Sequence, residues 1–381
     1  MCNLQKLLNR YREIIYKLYY TKIFFKGWKI VFDGFLFYFY FLHFNMIKEY
    51  LKLARSFNSF LTGISPVMGA IVMSDFNLTH LFILFLIGFF GHTYGFVLND
   101  ICDYKIDKKN KELSDRPLIS GTISIKKAWT FTFFSLLVAL TLAVYYSFLT
   151  DKYFPLLILL FSAGLITVYD TISKKWPLMD IFNSLAVFMF ILYGATTVTG
   201  NISDLSKLAW LVCLLGAIQV FFMQLIPGGL KDIENDYKTG AKTVAVKLGV
   251  RVAKSDILKI PLSYKILSYV IQIFNIGLVF LPFFYFTFIN RVTLHYIIWA
   301  LLGLVSILMF FVTHKFLNMK YFERGKMRKI LGIHFFINFS LVPIMLMALN
   351  PWTILIVFLP PIGFISSNLV LHKTFLQPKT M

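Results

Sequence analysis

Apolar segments of roughly membrane-spanning length constrain this chain more than any other feature. Ten of them lie at about 57–74, 79–98, 128–149, 153–169, 181–200, 206–226, 264–289, 292–314, 330–349 and 352–371. A helix needs roughly 20 apolar residues to cross a bilayer, and only helices and closed barrels satisfy their own backbone hydrogen bonds in lipid. The segments therefore predict an all-α, polytopic membrane protein with nine to ten transmembrane helices.

The charge composition supports a membrane protein rather than a nucleic-acid-binding protein. Only 15% of the 381 residues are charged, whereas soluble proteins average about 25%. The net charge of +20 fits cytoplasmic loops that meet anionic lipid headgroups. No basic run is interleaved with a soluble recognition fold, so the expected partners include membrane lipids and no nucleic acid.

Basic residues alternate between the two sets of loops. The set rich in Lys and Arg, called the basic set, comprises the segment before the first span and the loops 99–127, 170–180, 227–263 and 315–329. The poor set comprises 75–78, 150–152, 201–205, 290–291 and 350–351, and its only basic residues are Lys152 and Arg291. Because Lys and Arg collect in cytoplasmic loops, the basic set and both termini are predicted to be cytoplasmic.

Residues 1–45 differ from the rest and are expected to form a basic and aromatic extension, followed by a membrane domain over 46–381. The stretch YREIIYKLYYTKIFFKGWKIVF lacks a small-residue cleavage site after a compact apolar core, which disfavours a signal peptide. An interfacial amphipathic helix and an overlong start before Met46 both remain open.

An acidic motif, NDxxDxxxD, follows the second apolar segment. It comprises Asn99, Asp100, Asp103 and Asp107. On a helix, which turns about 100° per residue, all four side chains fall within an arc of about 100°. Like charges spaced i,i+4 repel each other, so this face calls for a cation. Clustered hard oxygen ligands suit Mg²⁺, which prefers a few carboxylates together with phosphate oxygens.

A second acidic motif, KDIENDYKTGAKT at 231–243, again follows a long apolar segment. Asp232 and Asp236 are spaced i,i+4, and the loop alternation places them on the same membrane side as the first motif. Either motif alone also fits an ordinary polar loop. Together they hold six of the 18 acidic residues, and they predict a site that binds a diphosphate through bridging Mg²⁺ ions.

Basic residues near the motifs are candidates for stabilising a diphosphate leaving group, whose charge grows as its bond breaks. They are Arg116 in SDRPLISGTIS, Lys242 in TGAKT, and Lys174 and Lys175 in VYDTISKKWPLMD. The alternative for each is a topology signal. That alternative is preferred for Lys108, Lys109, Lys126 and Lys127, and a functional role is preferred for Arg116 and Lys174.

With these residues the sequence resembles the UbiA superfamily of intramembrane prenyltransferases. Four features carry the resemblance: NDxxDxxxD with RPLISG at 116–121; DxxxD at 232–236 with YKTGAKTVAVKLG; Tyr169 with the Lys174–Lys175 pair and Pro177; and ARSFNSF at 54–60, where the family places an arginine. The resemblance covers about residues 50–350. A lone DxxxD is weak evidence, but this combination in this order is specific.

The resemblance implies a bundle of usually nine helices around a central, lipid-accessible cavity, capped by two Asp-rich loops. It implies a Mg²⁺-dependent enzyme that transfers a polyprenyl group from a polyprenyl diphosphate donor to an acceptor. It further implies metal ligation by Asn99, Asp103, Asp107, Asp232 and Asp236, and Asp100 joins them on the helix-face argument. Catalytic roles fall to Arg116, Tyr169 and Lys174, and substrate binding to Arg55, Lys175 and Lys242.

Two departures from the family pattern stand out. The tenth span exceeds the usual number, and Gly228–Gly229 stand where some members place a further Asn or Asp. The motif sequences look most like archaeal-type members that use a glycerol ether phosphate acceptor, which is the favoured expectation. Members that prenylate aromatic acceptors for quinone synthesis are the alternative.

Two other classes of protein also have clustered aspartates in membranes. A CDP-alcohol phosphotransferase would need a DG…AR…G…D…D run within one stretch, which this chain lacks. An ion-coupled transporter would carry ionisable residues deep within its spans, whereas these acids lie at span ends.

Overall fold

The computed structural model describes residues 44–108, 113–285 and 292–376. The chain divides between Tyr50 and Leu51 into two compact units. The described part of the first unit is the beginning of one helix, and the second unit holds the helical bundle. Most of the predicted extension, as well as Lys109 and Arg291, lies outside the described residues, so the predicted boundary at 45–46 stays a prediction.

Helices make up nearly all the regular structure of the described residues. They are α1 Phe44–Leu53, α2 Ser56–Val72, α3 Leu78–Asp107, α4 Ile125–Thr150, α5 Phe154–Ile172, α6 Asp180–Thr199, α7 Lys207–Met223, α8 Gly229–Thr239, α9 Val244–Lys247, α10 Leu262–Phe280, α11 Pro282–Tyr285, α12 Val292–Leu317, α13 Arg324–Leu346 and α14 Leu359–His372. Short 3-10 turns cover Lys254–Asp256 and Pro351–Phe358.

The all-α membrane fold is confirmed. Among the described residues, nine helical segments are long and apolar enough to cross a bilayer. One of them is the continuous segment Lys207–Thr239, which comprises α7, a π turn at Gln224–Gly228, and α8. The first predicted span, 57–74, corresponds to α2, which has 17 residues and falls short of the others in length. The tenth predicted span, 352–371, lies within the segment Pro351–His372, which is one of the nine.

Helix α2 lies at the centre of the bundle and packs against α3, α6, α7, α13 and α14. Its closest approach is to α6, at a pair of glycines. A Cβ atom on Gly69 would lie 2.0 Å from the carbonyl oxygen of Ile191, and one on Gly194 would lie 1.8 Å from that of Pro66. Small residues let two helix backbones touch, so these glycines fix the spacing at the heart of the bundle.

Both acidic motifs lie on helices, and this corrects the predicted span ends at 98 and 226. Helix α3 continues to Asp107, and α8 carries the second motif from Gly229 to Thr239. Hydropathy marks where a helix stops facing lipid or core, but the backbone continues as a helix while its polar side chains turn towards a cavity. The helical arrangement assumed for the first motif is confirmed.

A short two-stranded hairpin, residues 251–259 and here called the cap, follows α9. Strand β1, Arg251–Val252, pairs antiparallel with β2, Leu258–Lys259, and Ile257 bridges to Tyr321. The cap thereby ties the segment after the second motif to the residues that precede α13.

Candidate active site

A cavity of about 360 Å³ opens where α3, α8 and the α5–α6 loop meet. Both motifs contribute oxygen-bearing side chains to its wall. These are Asn99, Asp103 and Asp107 from α3, and Asp232, Asn235 and Asp236 from α8. The two motifs therefore meet across one cavity, as their pairing in the sequence predicts.

Arg116 is the basic centre of the first motif. Its guanidinium pairs with the carboxylate of Asp107 and, at 3.3 Å, with that of Asp100. Burial alone would lower the pKa of Arg116, but the two carboxylates outweigh burial and raise it above its ordinary value. The side chain therefore stays charged within the cavity wall, where it can bind an anion.

Lys174 reaches the same motif from the α5–α6 loop. Its ammonium lies 2.8 Å from a carboxylate oxygen of Asp103. Burial lowers its pKa, but Asp103 outweighs burial, and the net shift is upward. Its backbone carbonyl accepts a hydrogen bond of 3.3 Å from the amide of Lys242, which joins the α5–α6 loop to the end of the second motif.

Asp100 does not line the cavity, unlike the other three residues of its motif, and its predicted metal ligation stays a prediction. It is buried, and the guanidinium of Arg55 contacts it at 2.5 Å. The geometry places Asp100 between two arginines, where it holds both guanidiniums at the cavity edge.

Arg55 precedes α2 in a left-handed conformation, with φ 46° and ψ 47°. Its guanidinium lies 5.1 Å from the centre of the Phe96 ring. His92 Nε2 donates a hydrogen bond of 3.3 Å to its backbone carbonyl, and His92 Nδ1 accepts one of 2.9 Å from Thr62. Side-chain and backbone contacts thus hold an unfavourable backbone geometry in place.

The second motif has basic partners that the sequence did not single out. Lys231 and Arg324 each contact one oxygen of the Asp232 carboxylate at 2.9 Å. Thr243 donates a hydrogen bond of 3.1 Å to Asp236. Lys231 is the first residue of the motif segment and is adjacent to Asp232, and Arg324 begins α13 after a loop of the basic set. Adjacency for Lys231 and loop charge for Arg324 were the available signals.

Asp170 is a further carboxylate in the wall that sequence reasoning missed. It accepts a hydrogen bond of 3.2 Å from the side-chain amide of Asn99, and its other carboxylate oxygen is buried with no hydrogen-bond partner. Because its Nδ2 is committed to Asp170, Asn99 keeps its amide oxygen for another ligand.

Of the three remaining predicted site residues, one lines the cavity and two do not. Tyr169 lines the cavity, and its hydroxyl interacts with the carboxyl of Asp180. The side chains of Lys175 and Lys242 are exposed and lie outside the cavity lining. Lys242 reaches the site through its backbone amide only.

The donor set fits Mg²⁺. Each side of the cavity offers hard oxygen atoms, yet within the described ranges no three acidic, histidine or cysteine side chains converge as a self-sufficient metal site. Mg²⁺ usually binds through one or two carboxylates plus substrate phosphates rather than in an all-protein cage. The arrangement therefore suits ions shared between the protein and a phosphorylated ligand.

Comparison with known protein families gives one match that covers most of the chain. Residues 59–340 match the model of the UbiA prenyltransferase family. Among curated proteins, the digeranylgeranylglyceryl phosphate synthase of Sulfolobus acidocaldarius is 30% identical over 53% of this chain and 70% of that protein. The synthase of that name from Saccharolobus solfataricus is 27% identical over 65% of this chain and 88% of that protein.

Solved structures show the same fold. A UbiA homologue from Archaeoglobus fulgidus, bound to GPP and Mg²⁺, aligns with a TM-score of 0.55 over 77% of this chain and 99% of its own, at 19% identity. A UbiA homologue from Aeropyrum pernix aligns with a TM-score of 0.55 over 78% and 97%, at 16% identity. At these identities the structural similarity shows a shared fold of the helical bundle.

Proposed function

Since the chain belongs to the UbiA prenyltransferase family, we propose that it transfers a polyprenyl group from a polyprenyl diphosphate to a hydroxyl of a glycerol ether phosphate. The observation that carries this proposal is the meeting of two acidic motifs and buried cations in one cavity. The name of the matched archaeal relatives supports the acceptor class.

The donor diphosphate would lie between the two motifs. Mg²⁺ would be held by Asn99, Asp103, Asp107, Asp232 and Asp236, and when bound it would supply charge neutralisation to the diphosphate oxygens. Arg116 and Lys174 flank the first motif, and their donors would bind the leaving diphosphate as negative charge builds on it.

The rest of the cavity would serve the prenyl chain and exclude water. Tyr169, Phe190 and Phe339 line it, with aliphatic side chains between them. Aromatic faces attract cations, so Tyr169 would stabilise the allylic cation that forms as the C–O bond breaks. The acceptor hydroxyl would then attack the allylic carbon and pass its proton to the departing diphosphate, and a dry cavity limits capture of the cation by water.

The charge alternation of the loops supports a cytoplasmic site. The motifs, Arg116 and Lys174 all belong to the basic set of loops, and Lys and Arg concentrate on the cytoplasmic side. The soluble diphosphate product would accordingly leave into the cytoplasm.

A transfer assay tests the proposed function. Purified protein in phospholipid nanodiscs is given labelled prenyl diphosphates of several chain lengths, a panel of glycerol ether phosphate and aromatic acceptors, and either Mg²⁺ or EDTA. We expect Mg²⁺-dependent transfer to the glycerol ether phosphate. Transfer to an aromatic acceptor alone, or undiminished transfer in EDTA, would contradict the proposal.

A further inference from the structure

A second basic pair, Lys231 and Arg324, lines the same cavity as Arg116 and Lys174. Lys231 on α8 and Arg324 on α13 bind the two oxygens of one carboxylate, that of Asp232, and their side chains are only 10% and 9% exposed. Burying cations is costly unless anions compensate. If Asp232 holds a metal ion, its oxygens would be shared with that ion, and an anionic group would be a further partner for Lys231 and Arg324.

Arg324 also begins a stripe along α13. Leu331, Phe335 and Phe339 line the same cavity, and at about 100° per residue all three lie within roughly 60° of Arg324 around the helix axis. From Arg324 to Phe339 the helix rises about 22 Å, roughly three quarters of the hydrocarbon core. A charged head followed by an apolar stripe of this length matches an amphiphile with one long chain.

The stripe continues into a second, apolar cavity of about 60 Å³. Phe339 lines both cavities, as do Leu61, Ser65 and Val187. Farther along α13, Ser340 and Pro343 line the second cavity. The space beside the stripe therefore extends from the charged end of α13 towards its far end.

We propose that Lys231 and Arg324 bind the phosphate of the prenyl acceptor, and that Leu331, Phe335 and Phe339 hold its lipid chain. This inference rests on the proposed function and adds the acceptor's binding site to it. The two basic clusters then serve two substrates. The Arg116–Lys174 cluster binds the donor's diphosphate, and the Lys231–Arg324 pair binds the acceptor's single phosphate.

Steady-state kinetics of charge-removing variants test this assignment. The full chain in phosphatidylcholine nanodiscs with Mg²⁺ is assayed with geranylgeranyl diphosphate and either geranylgeranylglyceryl phosphate or geranylgeranylglycerol, which lacks the phosphate. We expect Lys231→Met and Arg324→Gln each to raise the KM for the phosphorylated acceptor about tenfold, because a charge-assisted hydrogen bond is lost. The donor KM should stay within about twofold, and the preference for the phosphorylated acceptor should fall by a similar factor.

Matched controls lie on the same two helices. Lys238→Met on α8 removes an exposed lysine that pairs with Glu234, and Lys326→Gln removes an exposed lysine of α13. Both should leave both KM values unchanged, and Arg324→Lys should restore most of the acceptor affinity that Arg324→Gln loses. Melting curves in detergent check that each variant is folded, and either variant of the pair suffices if the other does not fold.

The outcomes separate the two proposals. If Lys231→Met and Arg324→Gln raise the donor KM instead of the acceptor KM, the pair belongs to the donor diphosphate and the inference is wrong. If the unaltered protein uses neither glycerol acceptor, the proposed function itself fails, and this is seen before any variant is made. Equal loss of activity towards the phosphorylated and unphosphorylated acceptors would also overturn the assignment.

Discussion

At the scale of single residues, Arg55 combines an unfavourable backbone with a buried ion pair. Its left-handed φ of 46° is a conformation that costs residues other than glycine about 1–2 kcal/mol. The position is held because its guanidinium reaches Asp100 and its carbonyl accepts from His92. Strained backbone conformations of this kind cluster at functional sites, where the surrounding contacts hold them in place.

The comparison of Arg55→Gly with Arg55→Ala isolates that backbone cost. Both variants lose the ion pair with Asp100, but only glycine relaxes at positive φ, so the glycine variant should be the more stable by about 1 kcal/mol. Thermal or denaturant unfolding of the two purified proteins measures this difference. In an ordinary helical position alanine would be favoured, so greater stability of Arg55→Ala would show that the left-handed conformation is not adopted.

The two motifs make a sharper prediction about activity. Asp103→Ala and Asp232→Ala should each lower kcat/KM by at least about 100-fold, since removal of one member of a charge-stabilising set commonly costs that much. Asp204→Ala, in an exposed turn on a different loop, should be neutral. Membrane insertion, followed by yield and melting temperature, should be normal in all three. Turnover like that of the unaltered protein in either motif variant would refute the paired-site interpretation.

At the scale of elements, the contact between α2 and α6 decides the geometry of the site, because α2 carries Arg55 at its start and α6 packs beside α5 and its loop. The contact depends on Gly69 and Gly194, where backbone meets backbone. The two helices cannot separate without moving Arg55 relative to Lys174.

Alanine at Gly194 should therefore be destabilising by about 1–3 kcal/mol, as overpacking usually is. Gly164→Ala on α5 is the matched control, since a Cβ there would meet nothing within 4 Å. Alanine is a better helix former than glycine, so the control should be neutral or slightly stabilising. Melting temperatures in detergent measure both, and equal shifts in the two variants would show that α2 and α6 are not in close contact.

At the scale of the whole molecule, sidedness is the property that the loop charges predict. On a background with Cys2, Cys102 and Cys213 changed to serine, Lys126→Cys should react with a membrane-impermeant thiol reagent only from the cytoplasmic face. Asp204→Cys, in a loop of the poor set, should react only from the opposite face. Sealed right-side-out and inverted vesicles give the two measurements, and reversed labelling would invert the orientation.

The helical membrane fold and the meeting of the motifs could be predicted from the sequence, because apolar length and carboxylate spacing report directly on lipid contact and on a shared helix face. Basic residues were harder to place. Arg116 and Lys174 lie in the cavity wall, whereas Lys175 and the Lys242 side chain do not. Adjacent lysines look alike in a sequence, and only the direction in which the loop backbone turns separates them.

Lys231, Arg324 and Asp170 could not be predicted for a related reason. Arg324 and Asp170 have partners far away along the chain: Arg324 meets Asp232, and Asp170 meets Asn99. Lys231 pairs with the adjacent Asp232, but its shared contact with Arg324 depends on the packing of α8 against α13. A local motif specifies which residues share a helix face, but it does not specify which neighbouring helix will face them. That information depends on packing across the bundle.

The π turn at Gln224–Gly228 sets the direction in which the second motif points. A π turn contains one residue more than an α-helical turn, and one residue is worth about 100° of rotation. Loss of a single codon here would keep the span intact yet swing Asp232 and Asp236 together out of the lumen. Deletion of one residue in this turn is therefore expected to abolish activity although both aspartates remain in the sequence.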